Sequence, residues 1–210
     1  RTHQLLSEAG VSGLVLVQLD EKTRALHPDF AAYGLPRFAD FERAYARMQR
    51  EIREARSAGF RTEFQLFYSG HGDIEHGEGY LTLEDRRLTR SMLYERLRGL
   101  DANQNHVIID ACRSYFMAYD RGVGGTRETF VGKAMIPGAP AQLRNTGFIL
   151  STSSDRESHE WERYEAGILT HEVHSALRGA ADVDRDGNVS YLELASFLHH
   201  ANRAITNPRF

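Results

Sequence analysis

This chain of 210 residues has one cysteine, Cys112. No internal disulfide can form, so the fold needs no oxidising compartment and must be held by its own core. There is no run of about 18 apolar residues, the length a bilayer-spanning helix requires. Residues 1–9 are polar and amphipathic, unlike the apolar core of a secretory leader. These absences lead us to expect a cytoplasmic protein without membrane attachment. A basic excess is missing too: 26 Lys and Arg against 29 Asp and Glu leave a formal charge of −3, which argues against direct nucleic-acid binding. Internal repeats, low-complexity tracts and linker-like stretches are absent as well.

What is present is the balance of a globular domain, 41% hydrophobic and 26% charged. The length suits one α/β domain with a substantial core, and we expect residues 1–210 to form a single domain. The pattern predicts a helix end over residues 3–9 stopped by Gly10, a strand from Gly13 to Leu19, and a polar irregular stretch from Asp20 to Arg37. Phe41, Ala44, Tyr45, Met48, Ile52 and Ala55 recur at helical spacing. They predict a long amphipathic helix from Phe38 to Ala58, with Gly59 as its stop. Further strands are expected at Glu63–Tyr68, Val107–Asp110 and Gly147–Ser151, with a hairpin over 73–88. Helices are expected from the N-cap Thr89 to Leu100, over Glu165–Leu177 and over Ser190–Ala204. Strands alternating with helices imply a mostly parallel sheet covered on both faces. Residues 117–145 hold five glycines and two prolines with little periodicity, which predicts a long surface loop.

Two apolar runs end in reactive side chains. Phe64–Tyr68 leads into Ser69-Gly70-His71-Gly72, and Val107–Asp110 leads into Ala111-Cys112-Arg113-Ser114. Neighbouring parallel strands release their C-terminal ends at one sheet edge, where α/β folds build their sites. A thiol and an imidazole would meet there, the pair that nucleophilic cysteine chemistry requires. His71 would hold or donate the proton. Gly70 and Gly72 permit a sharp turn and close approach of substrate. The backbone N–H groups of Gly72 and Cys112 are candidates for stabilising an oxyanion. The plainer readings are a loop histidine beside a tight turn and a buried, inert thiol.

Tyr68-Ser69-Gly70-His71-Gly72 and Ile109-Asp110-Ala111-Cys112-Arg113-Ser114 resemble the two signature segments of the caspase-like cysteine peptidases, in the manner of the prokaryotic and metacaspase branch. The stretch from Gly167 to Asp182 resembles the second half of that domain, and the similarity covers roughly residues 60–200. The resemblance implies a caspase–haemoglobinase-like three-layer αβα sandwich with a mostly parallel central sheet. It also implies endopeptidase activity and a dyad carried by Cys112 and His71. Such domains open with a strand and a helix ahead of the region where residue 1 stands, and the strand at Val15 resembles the family's second. We therefore expect the first strand to be absent upstream. Ala111 stands where animal caspases have a glutamine-rich context.

Asp110 lies two positions before Cys112, so in a strand its carboxylate shares the thiol's side. A carboxylate there favours a cationic side chain in the first specificity pocket. In the metacaspase pattern the matching acid does this and Ser69 helps line the pocket, which implies cleavage after Arg or Lys. The alternative for Asp110 is a cap on the following turn or helix. Asp155, with Glu157 and Glu160, would add negative potential to substrate binding, or form a solvated acidic loop. Trp161 is a candidate for the groove wall or an anchor. Arg121, Arg127, Lys133 and Arg144 make the 117–145 loop a candidate for self-cleavage.

Residues 182–193 match the twelve-residue EF-hand loop. Asp182, Asp184, Asp186, Ser190 and Glu193 stand at ligand positions 1, 3, 5, 9 and 12. Asn188 offers its carbonyl at position 7, and Gly187 sits at position 6. Ca²⁺ is therefore the one cofactor expected, with no organic cofactor. The alternative is a sharp acidic turn capping the next helix through Ser190. Among ten histidines, His171 and His174 share a helix face and the adjacent His199 and His200 diverge, with no third zinc ligand nearby. The partners expected are a protein or peptide substrate and a regulatory domain or activator protein. The competing function is a catalytically silent caspase-fold scaffold.

Overall fold

The computed structural model describes residues 12–28, 30, 33–118, 143, 145–151, 160–161 and 166–204. The expected helix at 3–9 and the loop residues 119–142 lie outside these. After a short helix α1 (Glu21–Leu26) comes the long helix α2 (Phe38–Ser57). Strand β1 (Glu63–Ser69) is followed by β2 (Gly72–Glu75), β3 (Glu78–Thr82) and β4 (Arg87–Thr89), then helix α3 (Arg90–Gly99) and strand β5 (Gln104–Asp110). A 3₁₀ turn (Ser114–Met117) precedes β6 (Thr146–Leu150), and β7 (Glu160–Trp161) pairs with β8 (Ala166–Gly167). Helix α4 (Ile168–Ser175) runs on as a π turn (Ala176–Ala180), and α5 (Tyr191–Ala204) closes the described chain.

The central sheet has the order β1-β5-β6, parallel throughout. Its middle strand is apolar on both faces, as a strand covered from two sides must be. Val107 and Ile109, both fully buried, pack with Leu66, Tyr68 and Phe148 against Tyr45 and Ile52 of α2 and Leu93 and Leu97 of α3. Ile108, with Phe67 and Ile149, faces Leu169 and Val173 of α4. The two-residue period of a strand sends alternate side chains into two helical layers, so the structure is the α/β sandwich expected.

Local sequence accounts for most boundaries. Thr89 caps α3, its side chain accepting from the Met92 N–H. The N-cap of α2, Arg37, offers no side-chain bond, and the Phe38 N–H donates instead to Asp85, at 2.8 Å. Other expectations need correction. The strand predicted at 13–19 is one isolated bridge, Leu16 to Gly34. The stretch from Asp20 is not wholly irregular, because Asp20 accepts from the Thr23 N–H and starts α1. The hairpin at 73–88 is a three-stranded antiparallel sheet, β2-β3-β4. The helix predicted from Glu165 begins at Ile168, after β8, and extends to Ala180 through a wider turn that Gly179 ends at φ 98°. His199 and His200 do not diverge: their rings lie edge to face, 5.8 Å between centroids.

Besides the packing of α4 on Ile108, an aromatic contact ties the start of α5 to the sheet. The Tyr191 ring stacks on His106 of β5, and its hydroxyl lies 2.5 Å from His106 Nδ1. Gly147 of β6 makes the room, since a Cβ there would stand 2.3 Å from the Tyr191 hydroxyl. Burial pushes the Tyr191 hydroxyl up to about 12. Burial also holds His106 below the ordinary imidazole value of 6.5, partly opposed by Glu63, whose carboxylate is 3.7 Å away. The unfolded chain therefore takes up the proton first as pH falls, and the stability due to neutral His106 is lost below pH 6.5. Urea unfolding at about pH 7.5 and about pH 5.5 should show stability falling with acidity, and His106→Gln should shrink that fall. An unchanged pH dependence in the variant would contradict this account.

Candidate active site

The first requirement is that the two reactive residues share an edge, and strand register meets it. β1 and β5 run parallel with Ser69 opposite Asp110, and the Gly70 N–H donates to the Asp110 carbonyl at 3.1 Å. His71 and Cys112 each stand two residues beyond that last pair, so both leave the sheet at the same level. His71 is exposed and Cys112 half-buried. The two loops touch at Gly72: a Cβ there would lie 2.8 Å from the Cys112 carbonyl oxygen and 3.2 Å from the Ala111 methyl.

The His71 backbone is anchored from two sides. Its carbonyl accepts from the Thr82 N–H at 2.9 Å and from the Tyr68 hydroxyl at 2.7 Å. The same hydroxyl lies 2.8 Å from the Thr82 carbonyl. Burial pushes the Tyr68 hydroxyl up to about 12, so it remains a donor across the physiological range. The bond between Thr82 and His71 also fixes the phase of the β2-β3 ladder, in which Gly72 faces Leu81. Antiparallel ladders alternate bonded and non-bonded pairs. The Gly72–Leu81 pair is non-bonded, which turns the Gly72 N–H away from β3. That orientation suits an oxyanion donor.

The nucleophile side is a tight turn. Ser114 donates its N–H to the Ala111 carbonyl at 3.3 Å, and Arg113 sits in the left-handed region at φ 53°. The Arg113 guanidinium reaches back to Asp73 of β2 at 2.8 Å, joining the segment after Cys112 to the segment after His71. Beneath the turn, Gly79 of β3 lets the backbone of Phe116 pass so closely that a Cβ would meet its carbonyl at 2.5 Å. The Ser151 hydroxyl, at the end of β6, bonds both backbone groups of Ala111. None of Tyr68, Asp73, Arg113 or Ser151 was assigned these roles from sequence. Tyr68 and Arg113 stand inside the signature segments, but the contacts of all four are made across elements.

Asp110 is 5% exposed. It lies on the same sheet face as Ile108, toward α4, and its Oδ2 accepts from both the N–H and the hydroxyl of Thr170. The carboxylate thus bonds the first turn of a helix remote in sequence, whereas the capping alternative named the turn or helix that follows it. Ser69, its partner in register, is exposed at the same edge. Asp155 and Glu157 lie outside the described residues, as do Arg121, Arg127, Lys133 and Arg144. Glu160 and Trp161 are placed only as backbone of β7.

In the acidic loop, side-chain oxygens of Asp182, Asp184 and Glu193 lie within 4.8 Å of one another, the one such group of three metal-ligand side chains among the described residues. Asp182 and Asp184 accept from the Asp186 N–H, both at 3.1 Å, and the Asp186 carboxylate accepts from the Asn188 N–H. Ser190 and Glu193 form a reciprocal capping box at the start of α5. Backbone N–H and hydroxyl bonds from Ser190 hold the Glu193 carboxyl below its ordinary value. Val189, the apolar residue at loop position 8, packs inward on Ala176, Ala181 and Leu194. No helix among the described residues is long and apolar enough to cross a membrane.

The family model of the caspase domain, Peptidase_C14, matches residues 16–209. No curated protein matches the chain.

Gly72 offers a direct test of this geometry. Gly72→Ala is expected to press on the Cys112 carbonyl, destabilise the fold by about 1–3 kcal/mol and slow alkylation of Cys112 by iodoacetamide roughly 10-fold or more. Unaltered alkylation would show that the two loops do not depend on this contact.

Proposed function

Because the chain belongs to the caspase-domain family of cysteine peptidases, we propose that it is an endopeptidase in which Cys112 and His71 cleave protein or peptide substrates after Arg or Lys. The observation that supports this most directly is the parallel register of Ser69 with Asp110, which brings the imidazole loop and the thiol loop to one edge. His71 takes the proton of Cys112, and the thiolate attacks the scissile carbonyl. The N–H groups of Cys112 and Gly72 receive the developing oxyanion. As the C–N bond breaks, His71 gives its proton to the departing amine. Water then cleaves the thioester with His71 as base.

Preference for a cationic side chain rests on Asp110. Thr170 engages one of its carboxylate oxygens, which fixes the orientation of the group. The other oxygen and the neighbouring Ser69 are the features that would meet a guanidinium or ammonium group. The same preference makes the basic residues between positions 121 and 144 the place where the chain would cut itself. A panel of reporter peptides differing only at the residue before the cleaved bond tests the reading. Arg and Lys peptides should be cleaved, with Cys112→Ala inactive and Asp110→Asn losing roughly 10-fold or more of its selectivity for them. Equal cleavage after neutral residues by the unaltered chain would overturn the specificity.

Asp182, Asp184 and Glu193 further support Ca²⁺ binding, with Asp186, the Asn188 carbonyl and Ser190 at the remaining loop positions. Ca²⁺ bound there would order the start of α5, and with it Tyr191 on the sheet. Added Ca²⁺ should raise the melting temperature, and Glu193→Gln should abolish the shift. A melting temperature indifferent to Ca²⁺ would sink this part.

A further inference from the structure

We propose that Ser151 is a positioning residue for the Cys112 thiol, acting through the turn that carries it. The inference rests on the peptidase reading above. Cys112 follows Ala111, the last residue before the turn and fully buried. The turn is not held by its own sequence: Arg113 occupies a left-handed conformation that costs a non-glycine residue about 1–2 kcal/mol. Something outside the turn must hold it in that shape.

Ser151 supplies the hold. Its own N–H donates to the Ile109 carbonyl at 3.0 Å, which extends the β5-β6 pairing one step past Leu150. Its hydroxyl then accepts from the Ala111 N–H and donates to the Ala111 carbonyl, both at 3.0 Å. That carbonyl is also the acceptor for Ser114 that closes the turn. One hydroxyl thus binds both backbone groups of the residue next to the nucleophile. From the opposite side Gly72 fits against the Cys112 carbonyl and the Ala111 methyl. The turn is gripped between β2 and β6, with Gly72 and the Asp73–Arg113 pair on one side and the Ser151 hydroxyl on the other.

Deleting the hydroxyl removes both bonds at once and lets the turn drift. A shift of about 1 Å at a nucleophile costs on the order of 100-fold in rate. Ser151 acts on the backbone of Ala111, so the loss belongs in kcat and not in KM. The experiment compares Ser151→Thr with Ser151→Val, two side chains of the same shape of which only the first keeps a hydroxyl, alongside Ser151→Ala. Steady-state cleavage of an Arg reporter peptide is measured together with the pH dependence of Cys112 alkylation by iodoacetamide and with thermal melting. The expected result is Thr within roughly 3-fold of the unaltered chain, and Val and Ala lower in kcat by roughly 10- to 100-fold at similar KM. The alkylation profile should move in Val and Ala only.

Equal kcat and equal alkylation in Thr and Val would overturn the proposal. So would a Val variant that unfolds while Thr folds, since the hydroxyl would then serve stability alone. If the unaltered chain cleaves no peptide, the peptidase reading fails. The alkylation profiles then still decide whether Ser151 places the thiol.

Discussion

The parallel pairing of β1 with β5 is the constraint on which the candidate site depends. Ser69 opposite Asp110 sets the level at which both chains leave the sheet, and every later contact builds on that level. Shifting the register by one residue would send Phe67 and Ile108 to the wrong helical layer, because strand side chains alternate. The burial of Val107 and Ile109 on one face and Ile108 on the other therefore protects the alignment of His71 with Cys112. Core packing and active-site geometry are two consequences of one pairing.

Around that pairing, the reactive loops are supported chiefly by backbone hydrogen bonds. Tyr68 and Thr82 hold the His71 carbonyl, and Ser151 holds Ala111. Asp73 joins Arg113, and glycines at 72 and 79 let the pieces close to contact distance. Fixing the main chain holds His71 and Cys112 at one level of the sheet edge. Asp110 extends the scheme into the second half of the chain. Its bond to Thr170 makes the end of β5 and the first turn of α4 one unit, and Tyr191 on His106 does the same for α5. An event in the acidic loop has a physical route to the sheet through that second contact.

The pattern of residues carried much of this. Helical spacing from Phe41 to Ala55 located α2 within a residue of its end, and Thr89 marked the start of α3, because both signals are local. The strand predicted at 13–19 failed for the opposite reason. Apolar residues in a row show only that a strand is possible, while a strand exists only when a neighbour pairs along its length, and here one bridge forms. Asp110 shows the same limit in a functional residue. Its spacing from Cys112 was legible, but its engagement by Thr170, far along the chain, was not.

Two reactive residue types, each placed at the end of an apolar run beside small or tight-turning neighbours, carried the resemblance to the caspase family that the family model bears out. Those features are written in short consecutive segments, where composition and spacing act directly on the backbone. Folding decided which groups steady them: a serine from β6, a tyrosine hydroxyl from within β1 and a threonine at the head of α4. Such partners are chosen by distance in space, and a serine next to a strand end looks like any other until the sheet sets its hydroxyl 3.0 Å from the backbone of Ala111.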